Sequence, residues 1–394
     1  MSTYDLRRGM QPGTRPRLMV VTTVPVTAWT IMSGELRFLN ENGFEVVLVS
    51  SPGAELDMTA EREGVRAVGV PMYREIRPGA DLVSLVRLLR VMRVERPHVV
   101  VTGTPKAGLV ASLAAALSRV PVRVYLLLGL RLETARGATR GLLWLAEWVA
   151  THVVHRVVVV SPSLLVRARG IGLLRGDRGV VLGHGGGNGI DIAKFAETPE
   201  AVAGAAAARA GLGIPADAFV YGFVGRLTVD KGLRELAAAF GRVAARHADA
   251  WLLVVGGEDA DGLPADVRAA LHGHPRVRCT GWLTDPTSTY HVMDALVLPT
   301  YREGFGRVAL EAAAAGRPVI TTTATGAIDS VVHETTGLLV PPRAADALAG
   351  AMARLIGDRP AARDMGARGR CRVRRNFANE IVWGHLERFV KDLV

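Results

Sequence analysis

The chain alternates short apolar runs with segments of helical periodicity, and this alternation occurs twice. Apolar runs separated by amphipathic helices are typical of βαβ units, whose strands form parallel sheets. The second series begins after a Gly- and Ala-rich passage at 183–212. The predicted strands are 17–23, 45–50, 98–101, 122–128 and 153–160 in the first half, and 219–225, 251–255, 295–299 and 319–323 in the second. The sequence therefore predicts an α/β protein of two doubly wound, Rossmann-like domains.

The Gly- and Ala-rich passage sets the predicted domain boundary. We assign 1–190 to an N-terminal domain and 191–379 to a C-terminal domain, and we expect a helix at about 380–394 to pack back on the N-terminal domain. Ligands of doubly wound sheets bind outside the carboxyl ends of the strands. Two such sheets facing each other would form a cleft between the domains, and we expect ligands to bind there.

The positive charge of the protein is concentrated in its first half. The 394 residues carry a net charge of +11, and residues 1–195 hold 25 Lys+Arg against 15 Asp+Glu. Such asymmetry indicates an anionic partner: nucleic acid, anionic lipid or a phosphorylated substrate. A general bias toward arginine would give the same count. No basic tract is interleaved with aromatic residues, which argues against nucleic acid.

Cysteine content and hydropathy bear on the compartment. Cys279 and Cys371 are too few for a disulfide framework, which favours a reducing, cytoplasmic compartment. The most apolar stretch, 141–166, is interrupted by charged residues such as Glu147 and Arg156, so we expect no membrane span. No apolar segment of a signal peptide precedes residue 17.

One predicted helix, 81–95, is basic and amphipathic. Arg87, Arg90 and Arg93 recur at three-residue spacing, and leucines line another side. A helix of this kind can lie on anionic lipid, and it can equally be an ordinary solvated helix. The first interpretation predicts peripheral contact with the inner face of the cell membrane.

The segment 222–232 (GFVGRLTVDKG) joins a predicted strand to a helix. Its glycines, Gly225 among them, permit close backbone approach, and the helix start favours an anion. Arg226 and Lys231 add two cations one loop apart, a combination that suits a diphosphate. The alternative is that both are ordinary surface cations.

The segment 301–311 (YREGFGRVALE) carries two carboxylates, Glu303 and Glu311. Glu303 lies in the loop after a predicted strand and Glu311 about one turn into the next helix, so both can face the strand ends. Gly304 and Gly306 expose backbone N–H groups at the helix start. Carboxylates there suit sugar or ribose hydroxyls, because they only accept hydrogen bonds. The alternative is a capping loop followed by a solvated helical glutamate.

These segments resemble the retaining nucleotide-sugar glycosyltransferases of family 4, which have the GT-B fold. The resemblance spans about residues 16–392 and rests on Glu303-x7-Glu311, the segment 225–232, and the stretches 188–191, 281–282, 294–299 and 336–341. It implies a C-terminal domain that binds the donor, an N-terminal domain that binds the acceptor, and no metal or other cofactor.

The resemblance also assigns roles to single residues. Arg226 and Lys231 would hold the donor diphosphate, and Glu303 would hold the sugar, which makes these three the candidate catalytic residues. The other candidate donor-binding residues are Gly34, Gly225, Gly304, Phe305, Gly306, Arg307 and Glu311, the last of which would hold the ribose. Arg307 stands where we expect Asn. A cation at a helix start is unfavourable unless an anion binds there, so Arg307 indicates a contact with phosphate.

Four stretches of the chain are similar to bacterial capsule and exopolysaccharide members of the family. They are 104–109, 129–134, 160–163 and 301–306, and they suggest Thr104, Lys106 and Arg131 as acceptor-binding residues. Many of these members act at the cytoplasmic membrane face on polyprenyl-diphosphate-linked sugars. Two positions depart from that pattern, because Gly103 and Leu128 stand where it has histidine. His184 could replace one imidazole, although a plain loop histidine is the simpler interpretation.

The predicted function is retaining transfer of a sugar, with a UDP-sugar as the expected donor, to a hydroxyl of a lipid-linked or phosphorylated acceptor. One alternative is the same chemistry on a soluble small molecule, and another is a catalytically silent nucleotide-sugar-binding protein. A dinucleotide-dependent oxidoreductase is disfavoured, since no Gly-x-Gly-x-x-Gly follows the first strand. Asp259-x-Asp261 resembles a metal-binding pair, but it lacks partner ligands nearby and is predicted to be a solvated turn.

Overall fold

The computed structural model describes residues 15–73, 75, 77–258 and 262–394. The Asp259–Asp261 pair lies outside these residues. The chain divides into two compact units, one ending at Gly189 and resuming as Asn379–Val394, and the other formed by Ile190–Ala378.

The N-terminal unit is built on a parallel sheet of seven strands in the order β3-β2-β1-β4-β5-β6-β7. The strands are β1 (Arg17–Val21), β2 (Glu45–Ser50), β3 (Arg66–Gly69), β4 (Val99–Thr102), β5 (Val122–Leu127), β6 (Arg156–Val159) and β7 (Gly179–Val180). The helices are α1 (Pro25–Ile31), α2 (Glu35–Glu41), α3 (Ala54–Glu63), α4 (Pro78–Glu95), α5 (Pro105–Leu117), α6 (Gly137–His152) and α7 (Pro162–Gly170).

The central strands are buried because apolar side chains point to both faces of the sheet. Leu18 and Val20 pack on one side of β1 with the core of α2, whereas Met19 and Val21 pack on the other with α4 and α5. Near-continuous Val, Ile and Leu is the pattern expected where helices cover a parallel sheet on both faces.

The last helix of the chain, α16 (Asn379–Lys391), packs on the N-terminal unit. Its Trp383 ring lies 5.6 Å from that of Phe38 on α2, centroid to centroid. A β-carbon on Gly34, which has φ +85°, would lie 2.7 Å from the Trp383 ring. Gly34 is thus required both by its left-handed backbone and by the indole packed against it.

The C-terminal unit repeats the architecture with six parallel strands in the order β10-β9-β8-β11-β12-β13. The strands are β8 (Phe219–Val224), β9 (Ala250–Val255), β10 (Val277–Gly281), β11 (Ala295–Leu298), β12 (Val319–Thr322) and β13 (Gly337–Val340). The helices are α8 (Pro199–Gly211), α9 (Leu233–Arg246), α10 (Ala265–His272), α11 (Thr289–Val292), α12 (Arg307–Ala314), α13 (Ala327–Ser330), α14 (Ala345–Gly357) and α15 (Arg359–Asn376). The predicted α/β class with two doubly wound units is confirmed.

Candidate functional site

The order of strands in the C-terminal unit reverses between β8 and β11. The chain leaves β8 toward β9 on one side and returns to β11 on the other, so the loops after β8 and β11 diverge at the carboxyl edge. Such a switch point is where doubly wound sheets bind ligands. The loop after β8 carries Arg226 and Lys231, and the loop after β11 carries Glu303.

The structure brings Lys231 and Glu303 into contact. The Lys231 Nζ lies 2.5 Å from the Glu303 Oε1, and both side chains are largely buried, with 18% and 14% of their surface exposed. Gly232 allows this approach: its φ is +73°, and a β-carbon there would lie 2.0 Å from the Pro299 carbonyl oxygen. Two of the three candidate catalytic residues are therefore in direct contact, and their roles stay predictions.

Asp230 organises the same two loops. Its carbonyl oxygen accepts hydrogen bonds from the Tyr301 N–H (2.8 Å) and the Thr300 hydroxyl (3.2 Å), and its carboxylate pairs with Arg302 at 2.8 Å. Burial raises the pKa of Asp230, but the Thr228 hydroxyl and the charges of Arg302, Lys231 and Arg226 outweigh it and hold that pKa below its usual value. Three cations from these two loops therefore act on the Asp230 carboxylate.

The Glu303–Gly306 backbone is fixed from the loop after β12. The Glu303 N–H donates to the Thr325 carbonyl at 2.9 Å. A β-carbon on Gly326 would lie 2.4 Å from the Glu303 carbonyl oxygen and 2.5 Å from that of Gly304. Gly306, with φ +84°, begins α12. The turn is thereby held with little freedom before any ligand binds.

Phe305, assigned to the donor, is 5% exposed. Its ring packs 5.3 Å from that of Phe377, centroid to centroid. This places the phenyl group in the core beneath the turn, so only the backbone of Phe305 remains to meet a donor.

Glu311 is held by two neighbours. The Tyr290 hydroxyl donates to the Glu311 Oε2 at 2.6 Å, and the Arg307 Nε lies 2.9 Å from the Oε1. Burial, followed by the charge of Glu311, raises the pKa of Tyr290 well above its usual value, which keeps it a neutral donor. The anion that the sequence required beside Arg307 is supplied by Glu311 itself, so a phosphate is not needed to explain that cation. Its contact with phosphate stays a prediction.

Two tyrosines that contact carboxylates of this unit were not predicted from the sequence as site residues. Tyr290 comes from the short helix α11, and Tyr301, although inside the motif, was given no role. The Tyr301 hydroxyl donates to the Glu235 carboxylate, 2.8 Å from each oxygen, and so ties the loop after β11 to α9. Burial raises the pKa of Tyr301 to about 12.

In the N-terminal unit, the start of α2 at Gly34 already holds an anion. The Glu63 carboxylate accepts hydrogen bonds from the Gly34 N–H at 3.0 and 3.1 Å and from the Arg37 N–H at 3.2 Å. Glu63 is 1% exposed and pairs with Arg62 at 2.7 Å. The approach of a donor phosphate to Gly34 stays a prediction, and Glu63 occupies those N–H groups here.

The three candidate acceptor residues lie beyond the carboxyl ends of β4 and β5. The Thr104 hydroxyl lies 2.6 Å from that of Thr23, so it joins the loop after β4 to the loop after β1. Lys106 pairs with Asp81 at 2.7 Å. Arg131 begins a short 3₁₀ turn after β5 and lines one cavity together with Lys106.

Gly103 and Leu128, the two departures from the capsule pattern, line one pocket. This pocket of about 110 Å³ lies at the carboxyl edge of the N-terminal sheet, and its walls are mainly apolar. Glu35, 3% exposed, is its one acidic lining residue. His184 is exposed and is not among the lining residues, so the pocket lacks an imidazole from the described chain. Sequence spacing gave no reason to expect Glu35 there.

Two general features concern only the described residues. Among them, no three His, Cys, Asp or Glu side chains converge in a way that could hold a metal ion. No helix in the described ranges is both long and apolar enough to cross a bilayer.

Both halves of the chain match known family models. Residues 28–185 match the model described as a glycosyl transferase 4-like domain, and residues 218–358 match glycosyl transferases group 1. The capsular polysaccharide biosynthesis glycosyltransferase CapM of Staphylococcus aureus is 36% identical over 91% of this chain and 92% of its own length.

A more distant relative and two solved structures agree with this. The UDP-Gal:alpha-D-GlcNAc-diphosphoundecaprenol alpha-1,3-galactosyltransferase of Escherichia coli is 25% identical over 82% of this chain and 83% of its own. Alr3699/HepE of Anabaena, solved in complex with UDP, superposes with a TM-score of 0.76 at 19% identity, covering 95% of this chain and 99% of that one. Sucrose-phosphate synthase of Thermosynechococcus elongatus superposes with a TM-score of 0.77 at 22% identity, covering 96% of this chain and 99% of that one. The chain therefore belongs to the family 4 glycosyltransferases with the GT-B fold, and it is a glycosyltransferase enzyme.

Proposed function

We propose that this enzyme transfers a sugar from a UDP-sugar, with retention of anomeric configuration, to a hydroxyl of a lipid-linked acceptor in polysaccharide or glycolipid biosynthesis. The observation that carries the proposal is the meeting of Lys231 and Glu303 at the β8–β11 switch point, inside the segment that matches glycosyl transferases group 1. The CapM relative, named for capsular polysaccharide biosynthesis, supports the biosynthetic setting.

Each charged group at the switch point binds a different part of the donor in this proposal. Arg226 and Lys231 bind the diphosphate and stabilise the charge that develops as it departs. Glu303, released from Lys231, accepts hydrogen bonds from the sugar hydroxyls. Glu311, oriented by Tyr290, accepts from the ribose. A relative named for UDP-Gal and a structural neighbour solved with UDP support uridine as the base.

The transfer step requires no protein nucleophile in this proposal. The bond from the anomeric carbon to the diphosphate breaks while the acceptor oxygen bonds to the same face of the sugar, and the acceptor proton passes to the departing phosphate oxygen. Two fixed cations take the place of a metal ion, so we propose that turnover is metal-independent. Retention then follows from attack on the face that the diphosphate leaves.

For the acceptor we propose a lipid-linked sugar at the membrane surface, bound by the N-terminal unit. The helix α4 exposes Leu82, Val83 and Val86 together with Arg87 and Arg90. Exposed apolar residues beside arginines suit an interface with anionic lipid. The E. coli relative is named for a diphosphoundecaprenol-linked acceptor, which supports the same class.

A donor screen followed by product analysis tests the proposal. UDP-, GDP- and dTDP-sugars are screened by thermal shift, and the hits are assayed against polyprenyl-diphosphate sugars and soluble glycosides. Transfer from a UDP-sugar to the lipid-linked acceptor with the anomeric configuration of the donor retained, observed by proton NMR, supports the proposal. Transfer only to soluble glycosides, an inverted product, or donor binding without any transfer contradicts it.

A further inference from the structure

A large apolar groove runs between three helices of the N-terminal unit. Its volume is about 600 Å³, and α4, α5, α6 and the 3₁₀ turn after β5 form its walls. Ten of the sixteen residues that line it are apolar, among them Leu82, Leu85, Leu113 and Leu142, and the other six are Glu75, Asp81, Lys106, Arg131, Thr139 and Glu147. The volume falls within the range of about 300–1,000 Å³ typical of small-molecule sites.

Two of these apolar side chains are open to solvent. Leu82 is 61% exposed and Leu142 is 50% exposed. Protein interiors are close-packed, and contiguous exposed apolar surface marks a site of interaction. An aliphatic chain lying along the leucines would remove this apolar surface from water.

One end of the groove is polar and lies near the carboxyl edge of the sheet. Lys106, at the start of α5, pairs with Asp81 at the start of α4. Arg131 is exposed at the same end and forms no ion pair with any residue that the structure describes. Since Asp81 neutralises Lys106, Arg131 is the cation available to a ligand.

We propose that the groove binds the aliphatic chain of the lipid-linked acceptor, with the phosphate at the head of that chain against Arg131. This inference rests on the proposed function, because it names where the lipid portion of that acceptor lies. Charge complementarity sets the orientation: the phosphate meets the exposed guanidinium and the chain lies along the leucines. The sugar end of the acceptor is thereby directed toward the carboxyl edge of the sheet, where Gly103 and Glu35 line the smaller pocket.

Binding of a soluble probe tests the groove independently of catalysis. The probe is farnesyl phosphate, compared with dimethylallyl phosphate and with farnesol by titration calorimetry on the full chain. We expect farnesyl phosphate to bind at least about tenfold more tightly than dimethylallyl phosphate, because the longer chain buries more apolar surface. Equal affinities would contradict the inference.

The variants Leu142→Asp and Leu145→Asp form a matched pair. Both residues lie on α6 and are exposed to the same extent, but only Leu142 lines the groove. Leu142→Asp should remove the gain in affinity with chain length, and Leu145→Asp should retain it. Circular dichroism and melting temperature establish that both variants fold. Equal effects of the two substitutions would overturn the groove assignment.

The head-group contact has its own test. Arg131→Gln should reduce the affinity for farnesyl phosphate to that for farnesol and leave farnesol binding unchanged.

Two further outcomes separate the groove from the proposed function. If Leu142→Asp does not impair transfer to a lipid-linked acceptor, the groove assignment is wrong while the proposed function stands. Chain-length-dependent binding without transfer refutes the proposed function while the groove stands. If Leu142→Asp weakens binding only to phosphatidylglycerol vesicles, the groove serves membrane lipid and the inference is wrong.

Discussion

The Lys231 ammonium group and the Glu303 carboxylate form an ion pair between loops that follow adjacent strands of one sheet. The first group is the proposed ligand of the donor diphosphate and the second the proposed ligand of the sugar. Without donor, each neutralises the other, so neither charge is left buried and uncompensated. A donor that brings a diphosphate to Lys231 and hydroxyls to Glu303 replaces this pair with two sets of charge-assisted hydrogen bonds.

Lys231→Ala should reduce kcat by about 10²–10³-fold, because the departing diphosphate loses a fixed cation. Initial rates at saturating donor measure this effect. Arg234→Ala is the matched control: Arg234 is also a cation near the start of α9, but it is exposed and pairs with Asp266. A Lys231→Ala enzyme with wild-type kcat would remove Lys231 from the mechanism.

Tyr290→Phe should weaken UDP binding by about tenfold with little change in kcat at saturating donor. The substitution removes the hydrogen bond that orients Glu311, and bonds to charged groups are worth about 1.5–3 kcal/mol. Calorimetric titration with UDP measures it. Tyr301→Phe, which affects the Glu235 contact instead, serves for comparison. Unchanged UDP affinity in Tyr290→Phe would show that Glu311 does not bind the nucleotide or needs no help to do so.

The loops after β8 and β11 were predictable because the residues of each loop are close in sequence and their glycines mark the turns. Glu303 and Glu311 lie within one strand–loop–helix unit, and Lys231 lies in the equivalent unit after β8. Tyr290 was not predictable, since it reaches Glu311 from α11, a four-residue helix with no helical periodicity of its own. Contacts between elements that are distant in sequence, such as that of Tyr290 with Glu311, depend on tertiary packing, and local residue spacing does not predict them.

In the N-terminal unit, too, local sequence patterns did not predict every element or every contact between elements. The edge strands β3 and β7 were not predicted, because two of the four residues of β3 are exposed and β7 has only two residues. Glu63 was missed for a related reason: it lies at the end of α3, yet its carboxylate accepts from the start of α2. Such pairs become visible only when the helices are placed side by side.

Chelation of divalent cations should leave the transfer rate unchanged if Arg226 and Lys231 supply the positive charge. Rates with an excess of EDTA and with added Mg²⁺ or Mn²⁺ measure this directly. A rate that falls with EDTA and returns with Mg²⁺ would contradict the proposed metal independence, whatever the effect of Lys231→Ala.

Glu35→Gln should raise the KM for the acceptor several-fold and leave the affinity for UDP unchanged. Glu35 is the one acidic residue that lines a mainly apolar pocket at the carboxyl edge of the N-terminal sheet, so its carboxyl group is the strongest candidate there to accept from an acceptor hydroxyl. Steady-state kinetics with varied acceptor measures the effect. Glu41→Gln is the control, since Glu41 ends the same helix α2 and is exposed. Equal KM values for the two variants would exclude Glu35 from the acceptor site.

The Tyr125–Glu147 pair should make the stability of the N-terminal unit depend on pH. Burial raises the pKa of Glu147 from 4.5 to about 7, against the opposing effect of the Tyr125 hydroxyl, which donates to it at 2.9 Å. The folded chain therefore keeps this proton up to about pH 7, whereas the unfolded chain releases it near pH 4.5. The unfolded state binds fewer protons in this window, so stability should fall as pH rises through it, by on the order of 3 kcal/mol in total.

Urea unfolding from pH 4.5 to 8, followed by intrinsic tryptophan fluorescence and far-UV circular dichroism, measures this dependence. In Glu147→Gln the amide carries no charge at any of these pH values, so the fall that the wild type shows between pH 4.5 and 7 should disappear. Glu334→Gln is the control, because that exposed carboxylate pairs with Arg354 and its pKa is lowered by that bond. Parallel pH profiles for the wild type and Glu147→Gln would mean that Glu147 has the same pKa in the folded and the unfolded protein, which would contradict the prediction.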